Sequence, residues 1–194
     1  MRYGRIGGGL VIGGWALAVI GIGLSWVASS AVFGLVGTLA AVMIGSGAAV
    51  IAIAGVAPLR GLVVRVGLGL LAVGLTCLVG SAIVAARLTY EPFEDAPFIV
   101  LFVAGWLASS VGMLVTQLAL IRAGGLARRL GVLFFAGLAS TWLMGALAAA
   151  MGSGPLQIVA AALAVLGATG FVIGCAAPGV LVVRADRAAV AVTS

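Results

Sequence analysis

Histidine and lysine are both missing from this 194-residue chain, acidic residues number four and cysteines two. Without histidine there is no imidazole for a haem or chlorophyll and no Ser-His pair for an intramembrane serine protease. Without lysine there is no Schiff base of the rhodopsin kind. Gly45-Ser46-Gly47 and Gly152-Ser153-Gly154 therefore read as packing or turn glycines, not as settings for a nucleophile. Phosphatases and lipid transferases of this size need His, Lys or clustered Asp within or beside their spans, and this chain has no such cluster. Cys77 and Cys175 form no CxxC. Cys77 lies about 16 residues into an outward-running span and Cys175 near the inner end of an inward-running one, so their depths differ by roughly 20 Å, far beyond the roughly 7 Å limit for a bridge. Both read as small buried residues. No carboxylate interrupts an apolar run, although proton- or sodium-coupled transport usually depends on one. The expectation is a protein without catalytic residues, cofactor or metal, and not an enzyme.

What fills the chain instead is apolar. Hydrophobic residues make up 64%, glycines number 31 and charged residues only 7%. Ordinary soluble domains carry about 25% charge, so a soluble fold of this composition would lack the polar surface to cover itself. The net charge of +6 comes from ten arginines. They stand singly or in pairs between long apolar runs, with no basic stripe that could follow a phosphate backbone, which excludes nucleic acid as the expected partner. The pattern is instead that of a membrane protein's loop charges.

A helix needs about 20 apolar residues to cross a hydrocarbon core about 30 Å thick. Six segments qualify, at about 6–28, 31–57, 62–86, 97–121, 130–151 and 156–177. The first is longer than the apolar core of a signal peptide and reads as a retained span. Barrel strands would alternate in polarity, whereas Ala40 to Ala57 is almost continuously apolar. The predicted fold is all-α, a single integral membrane bundle of six transmembrane helices. With the N-terminus inside, nine of the ten arginines and Asp186 fall on the inner face, a net +8. Arg87 with Glu91, Glu94 and Asp95 leaves −2 outside. Both termini are thus expected on the cytoplasmic side of the plasma membrane.

Small residues spaced by four would let helix backbones approach where lipid offers no hydrophobic drive. Gly37, Ala41, Gly45 and Ala49 make such a ridge in the second span. Ala72, Thr76 and Gly80 make one in the third, and Ala104, Ala108, Gly112 and Thr116 one in the fourth. The fifth carries Gly137, Thr141, Gly145 and Ala149, and the sixth Ala160, Ala164 and Ala168. These ridges serve packing within the bundle, or one of them faces another protein.

Three sets of polar residues remain. Thr76, Ser109, Ser110, Thr116, Ser140 and Thr141 lie within the third to fifth spans, either bonded between helices or lining a path for a small solute. Gln117 joins the fourth-span cluster and is either bonded between helices with it or, being near the cytoplasmic end, meets the interface. In the outer loop, Tyr90, Glu91, Phe93, Glu94 and Asp95 are candidates for partner contact. On the inner face, Arg122, Arg128 and Arg129 are candidates for anionic-lipid contact. The partners expected are membrane lipids and other membrane subunits or further copies of the chain. The function expected is that of a non-catalytic structural or accessory subunit of a larger membrane assembly. The alternative is an uncoupled channel or carrier for a small neutral or weakly polar solute.

Overall fold

A computed structural model of the chain describes residues 2–24, 30–55, 59–86, 96–150 and 154–193. Seven helices account for them: α1 Arg2–Leu24, α2 Ser30–Ala54, α3 Leu62–Ala85, α4 Ala96–Ala123, α5 Gly125–Ala150, α6 Pro155–Cys175 and α7 Ala177–Thr193. There is no strand among the described residues. The first six helices are long and apolar enough to cross a membrane. In such a setting helices satisfy every backbone group within the segment, which is why the apolar runs take this form.

Two boundaries differ from the sequence expectation. The predicted break at 122–129 shrinks to Gly124 alone, and Arg128 and Arg129 lie inside α5. Gly124 and Gly125 take φ of 77° and 56°, left-handed values that glycine adopts without steric cost, so the chain reverses in one residue. At the other end, the sixth apolar run stops as a helix at Cys175 and a seventh helix follows after Ala176. Pro178 explains the interruption, because it offers no N–H to the carbonyl of Gly174 four residues earlier. α7 carries Arg184, Asp186 and Arg187 and has 17 residues, too few and too polar to register as a span.

The helices divide into two compact units, Met1–Thr116 with Pro178–Ser194, and Gln117–Ala177. In the first unit α1 and α2 run antiparallel. A methyl on Gly7 would touch Ile51, Val50 and the Gly47 carbonyl, one on Gly14 would meet Ile44 and the Ala40 carbonyl, and one on Gly21 would meet Val36. α3 and α4 repeat this pattern. Gly67 lies against Gly112 and Thr116, and Gly74 lies against Gly105 and the Ser109 backbone. α7 packs on α1 with Gly179 against Gly8, Val11 and Ile12. Arg5 Nε donates to Asp186 Oδ2 at 2.6 Å, so the start of α1 stands beside the third turn of α7.

The second unit contains the end of α4 with α5 and α6. Gly131 meets Ile121 and the Gln117 carbonyl. Gly137 meets Gly167 and the Phe171 backbone, and Gly174 meets Phe134. Phe134 also packs on Phe171 with ring centroids 5.0 Å apart.

Some contact residues are four apart, as Gly105 and Ser109 or Gly112 and Thr116 are, but the longer rows recur every seven positions. Gly7, Gly14 and Gly21 form one such row, Gly67, Gly74 and Ser81 a second, Gly105 and Gly112 a third, and Ala160, Gly167 and Gly174 a fourth, all of them buried. A seven-residue period keeps one seam in register between helices of left-handed crossing. The expected ridges therefore hold only in part. Gly112, Thr116 and Gly137 lie in seams, while a methyl on Gly37 or Gly145 would meet nothing within 4 Å among the described residues. In the second-span ridge Gly45 lies against Leu75 of α3, whereas the residues of α2 that meet α1 include Ala40, Ile44 and Gly47.

The seams predict a graded response to alanine. Gly74→Ala and Gly137→Ala drive a methyl into backbone atoms that no rotamer change can move, and each should cost about 1–3 kcal/mol. Gly145→Ala should be neutral or stabilising by up to about 1 kcal/mol, the helix propensity difference. Thermal denaturation in mild detergent gives the comparison, and equal losses at positions 74 and 145 would refute the assigned seams.

Candidate functional site

Hydroxyls inside an apolar helix have one ready acceptor, the carbonyl three or four residues back. Most of the candidate path residues take it. Thr76 Oγ1 donates to Ala72 O at 2.9 Å, Ser109 Oγ to Trp106 O at 3.1 Å and Thr116 Oγ1 to Gly112 O at 2.8 Å. Thr141 Oγ1 donates to Gly137 O at 2.8 Å, while Ser140 Oγ reaches across to Leu163 O of α6 at 3.4 Å. Ser110 is half-buried on α4.

The six residues occupy different surfaces. In the first unit Ser109 and Thr116 lie in the α3–α4 seam against Gly74 and Gly67, and Thr116 has no exposure at all. Thr76 is on the other side of α3, in a half-open groove of about 220 Å³ with Leu75 and Val79, facing Ala41, Val42, Gly45 and Ser46 of α2. Ser46 is a polar residue of this groove that the sequence reading left within a packing segment, Gly45-Ser46-Gly47. Its neighbours are apolar in every direction, so only the α2–α3 pairing brings it to Thr76. In the second unit Ser140 and Thr141 flank Gly167.

For Gln117 the sequence offers an interhelical bond or the interface, and the structure has the bond. The side chain is completely buried, and its Nε2 donates to Gly174 O of α6 at 2.9 Å. Gly174 is the residue whose carbonyl Pro178 cannot serve. The Gln117 amide thus stands in for a missing backbone donor at the end of α6, where an unpaired carbonyl in apolar surroundings would be costly.

Arginines finish the other exposed helix end. Gly55, at φ 57°, closes α2. Arg65 Nε donates to Ala52 O at 2.7 Å and Arg60 Nε to Gly55 O at 3.2 Å. Cations at this end satisfy open carbonyls and complement the helix dipole. Arg122 lies in the last turn of α4, and Arg128 and Arg129 are exposed on α5. Both cysteines are free thiols, and no group of three potential metal ligands occurs among the described residues. The outer-loop candidates Tyr90, Glu91, Phe93, Glu94 and Asp95 lie outside the described residues.

No protein-family model, curated protein or solved structure matches the chain. Six helices long and apolar enough to cross a membrane suggest a multi-pass membrane protein; function has to be argued from its side chains alone.

The Gln117 bond generates a prediction. Gln117→Leu removes the donor to Gly174 and should lower stability by about 0.6–1.7 kcal/mol, the range of interhelical hydrogen bonds in membranes. Reversible unfolding in mixed micelles measures it, and an unchanged midpoint would show that Gly174 finds another donor.

Proposed function

We propose that this protein is a non-catalytic structural or accessory subunit of a larger assembly in the plasma membrane, with both termini on the cytoplasmic side. The observation that carries the reading is how the polar atoms inside the spans are used. The hydroxyls of Thr38, Thr76, Thr116, Thr141 and Thr169 all bond to their own helix's carbonyls, and the one buried amide serves a helix end. Such groups hold helices together and leave little to bind or transform a substrate. The open helical glycines Gly9, Gly23, Gly34, Gly37, Gly69 and Gly145 add to it. Each weakens its helix relative to alanine and gains no close contact among the described residues, as expected of positions that admit a neighbouring helix.

Orientation rests on charge. Nine arginines on one face against a single one on the other follow the positive-inside rule, and the Arg5–Asp186 pair supports a shared face for the two termini. A second reading, an uncoupled channel or carrier for a small neutral or weakly polar solute, draws on the α2–α3 groove with its two hydroxyl residues, Ser46 and Thr76.

Extraction from native membranes in a mild detergent, with every component in fixed stoichiometry identified, is expected to yield a constant partner. A lone monomer or homo-oligomer would overturn the subunit reading and favour solute-flux assays in liposomes. For orientation, Ala188→Cys on a background lacking Cys77 and Cys175 should react with an impermeant maleimide only after the cells are permeabilised. Labelling in intact cells would reverse the assignment.

A further inference from the structure

Segment Gln117–Ala177 contains three arginines, Arg122, Arg128 and Arg129, and not one acidic residue. The three cations fall within eight residues around the Gly124 turn, and all are exposed. Of the chain's four acids, Asp186 is engaged by Arg5, while Glu91, Glu94 and Asp95 precede the first residue of α4, whose last turn holds Arg122.

Local structure accounts for only one of these charges. Arg122 stands at the carbonyl end of α4, where a cation is favoured. Arg128 and Arg129 are the fourth and fifth residues of α5, beside the end of the helix that already carries positive potential. No acid stands in that first turn. The cap position adds to the excess, because Gly124 has no side chain to accept from the first amides of α5. The first bond within the helix runs from the Arg128 N–H to Gly124 O at 3.1 Å, leaving the amides of Gly125, Leu126 and Ala127 without a carbonyl earlier in the helix. Positive charge is thus concentrated at one tight turn, against the local field, with no counter-charge in its own unit.

The turn joins two helices that each can cross a membrane, so it lies at a bilayer surface, where the abundant anions are lipid phosphates. Guanidinium groups match phosphate oxygens in paired hydrogen bonds. We propose that the α4–α5 turn is a binding site for the phosphate headgroup of an anionic phospholipid, with Arg128 and Arg129 as its principal ligands and Arg122 at its edge. The proposal rests on the membrane reading and is independent of the subunit reading, since the lipid binds whether or not a partner protein is present.

The test uses the full-length protein in mild detergent, titrated with phosphatidylglycerol or phosphatidylcholine and followed by native mass spectrometry and by thermal shift. The wild type should retain phosphatidylglycerol and gain thermal stability from it, and phosphatidylcholine should do neither. The Arg128→Gln/Arg129→Gln variant should bind phosphatidylglycerol at least about tenfold more weakly, whereas Arg184→Gln/Arg187→Gln should bind as the wild type does. Should the first variant fail to fold, Arg128→Lys/Arg129→Lys keeps the charge but loses the paired geometry, and is expected to fall between the two. Equal retention of both lipids would overturn the proposal, as would equal losses from the two arginine pairs, or wild-type binding by either variant at positions 128 and 129. Stabilisation by millimolar inorganic phosphate equal to that by the lipid would also overturn it, in favour of a soluble phosphate ligand.

Discussion

Every feature of this protein depends on the requirement that backbone polar groups be satisfied without water. In a hydrocarbon setting the helix is the form in which one segment meets that requirement alone, and association between helices then has no hydrophobic gain to draw on. What remains is close contact. The glycines at positions 7, 14, 67, 74, 105, 112, 137, 167 and 174 bring backbones together so tightly that a single methyl would collide. At that separation dispersion and Cα–H···O contacts accumulate along the whole seam. The exceptions to self-sufficiency are the helix ends, and there the chain uses its few polar side chains: Arg60 and Arg65 on α2, Gln117 on α6.

The six spans were legible because length and apolarity are the physical requirements for crossing a bilayer and both can be read residue by residue. The seams were less so. Glycines and alanines are dense enough here that spacings of four and of seven both occur in nearly every helix, and only contact selects between them. Gly112 satisfies both patterns and Gly137 only the spacing of four, yet both lie in seams, whereas a methyl on Gly37 or Gly145 would meet nothing within 4 Å among the described residues. The stretch at 122–129 looked like a loop because three arginines interrupt the apolar run. A helix tolerates arginine well, however, and the adjoining glycines needed only a single residue to turn. Likewise, α7 was hidden by its charges, and an interhelical bond from Gln117 was legible although its acceptor was not. That carbonyl lies 57 residues away and is open only because of Pro178.

The candidate site was legible as a set of residue types but not as an arrangement. Hydroxyls at 76, 109, 116, 140 and 141 suggest a polar lining when read along the chain. In three dimensions Ser109 and Thr116 share the α3–α4 seam, Thr76 is on the far side of α3, and Ser140 and Thr141 flank a glycine of α6. Except at Ser140, which reaches α6, their hydrogen-bonding choice is local, and a hydroxyl bonded to its own helix is a weaker candidate for coordinating a passing solute. Ser46 reverses the lesson. Isolated among glycines and alanines it looks structural, and the groove gives it an outlet.

The pairing of α1 with α7 has a consequence in time. Arg5 and Asp186 are 181 residues apart in sequence yet in direct contact, with Gly8 and Gly179 face to face. During synthesis α1 is made before α7, the helix that covers one of its faces, with five other helices between them. That face of α1 therefore waits for α7 while its neighbour α2 is already available. Long-range closure of this kind is slow relative to local hairpin formation, which makes the arrival of α7 the step that completes the α1–α7 contact.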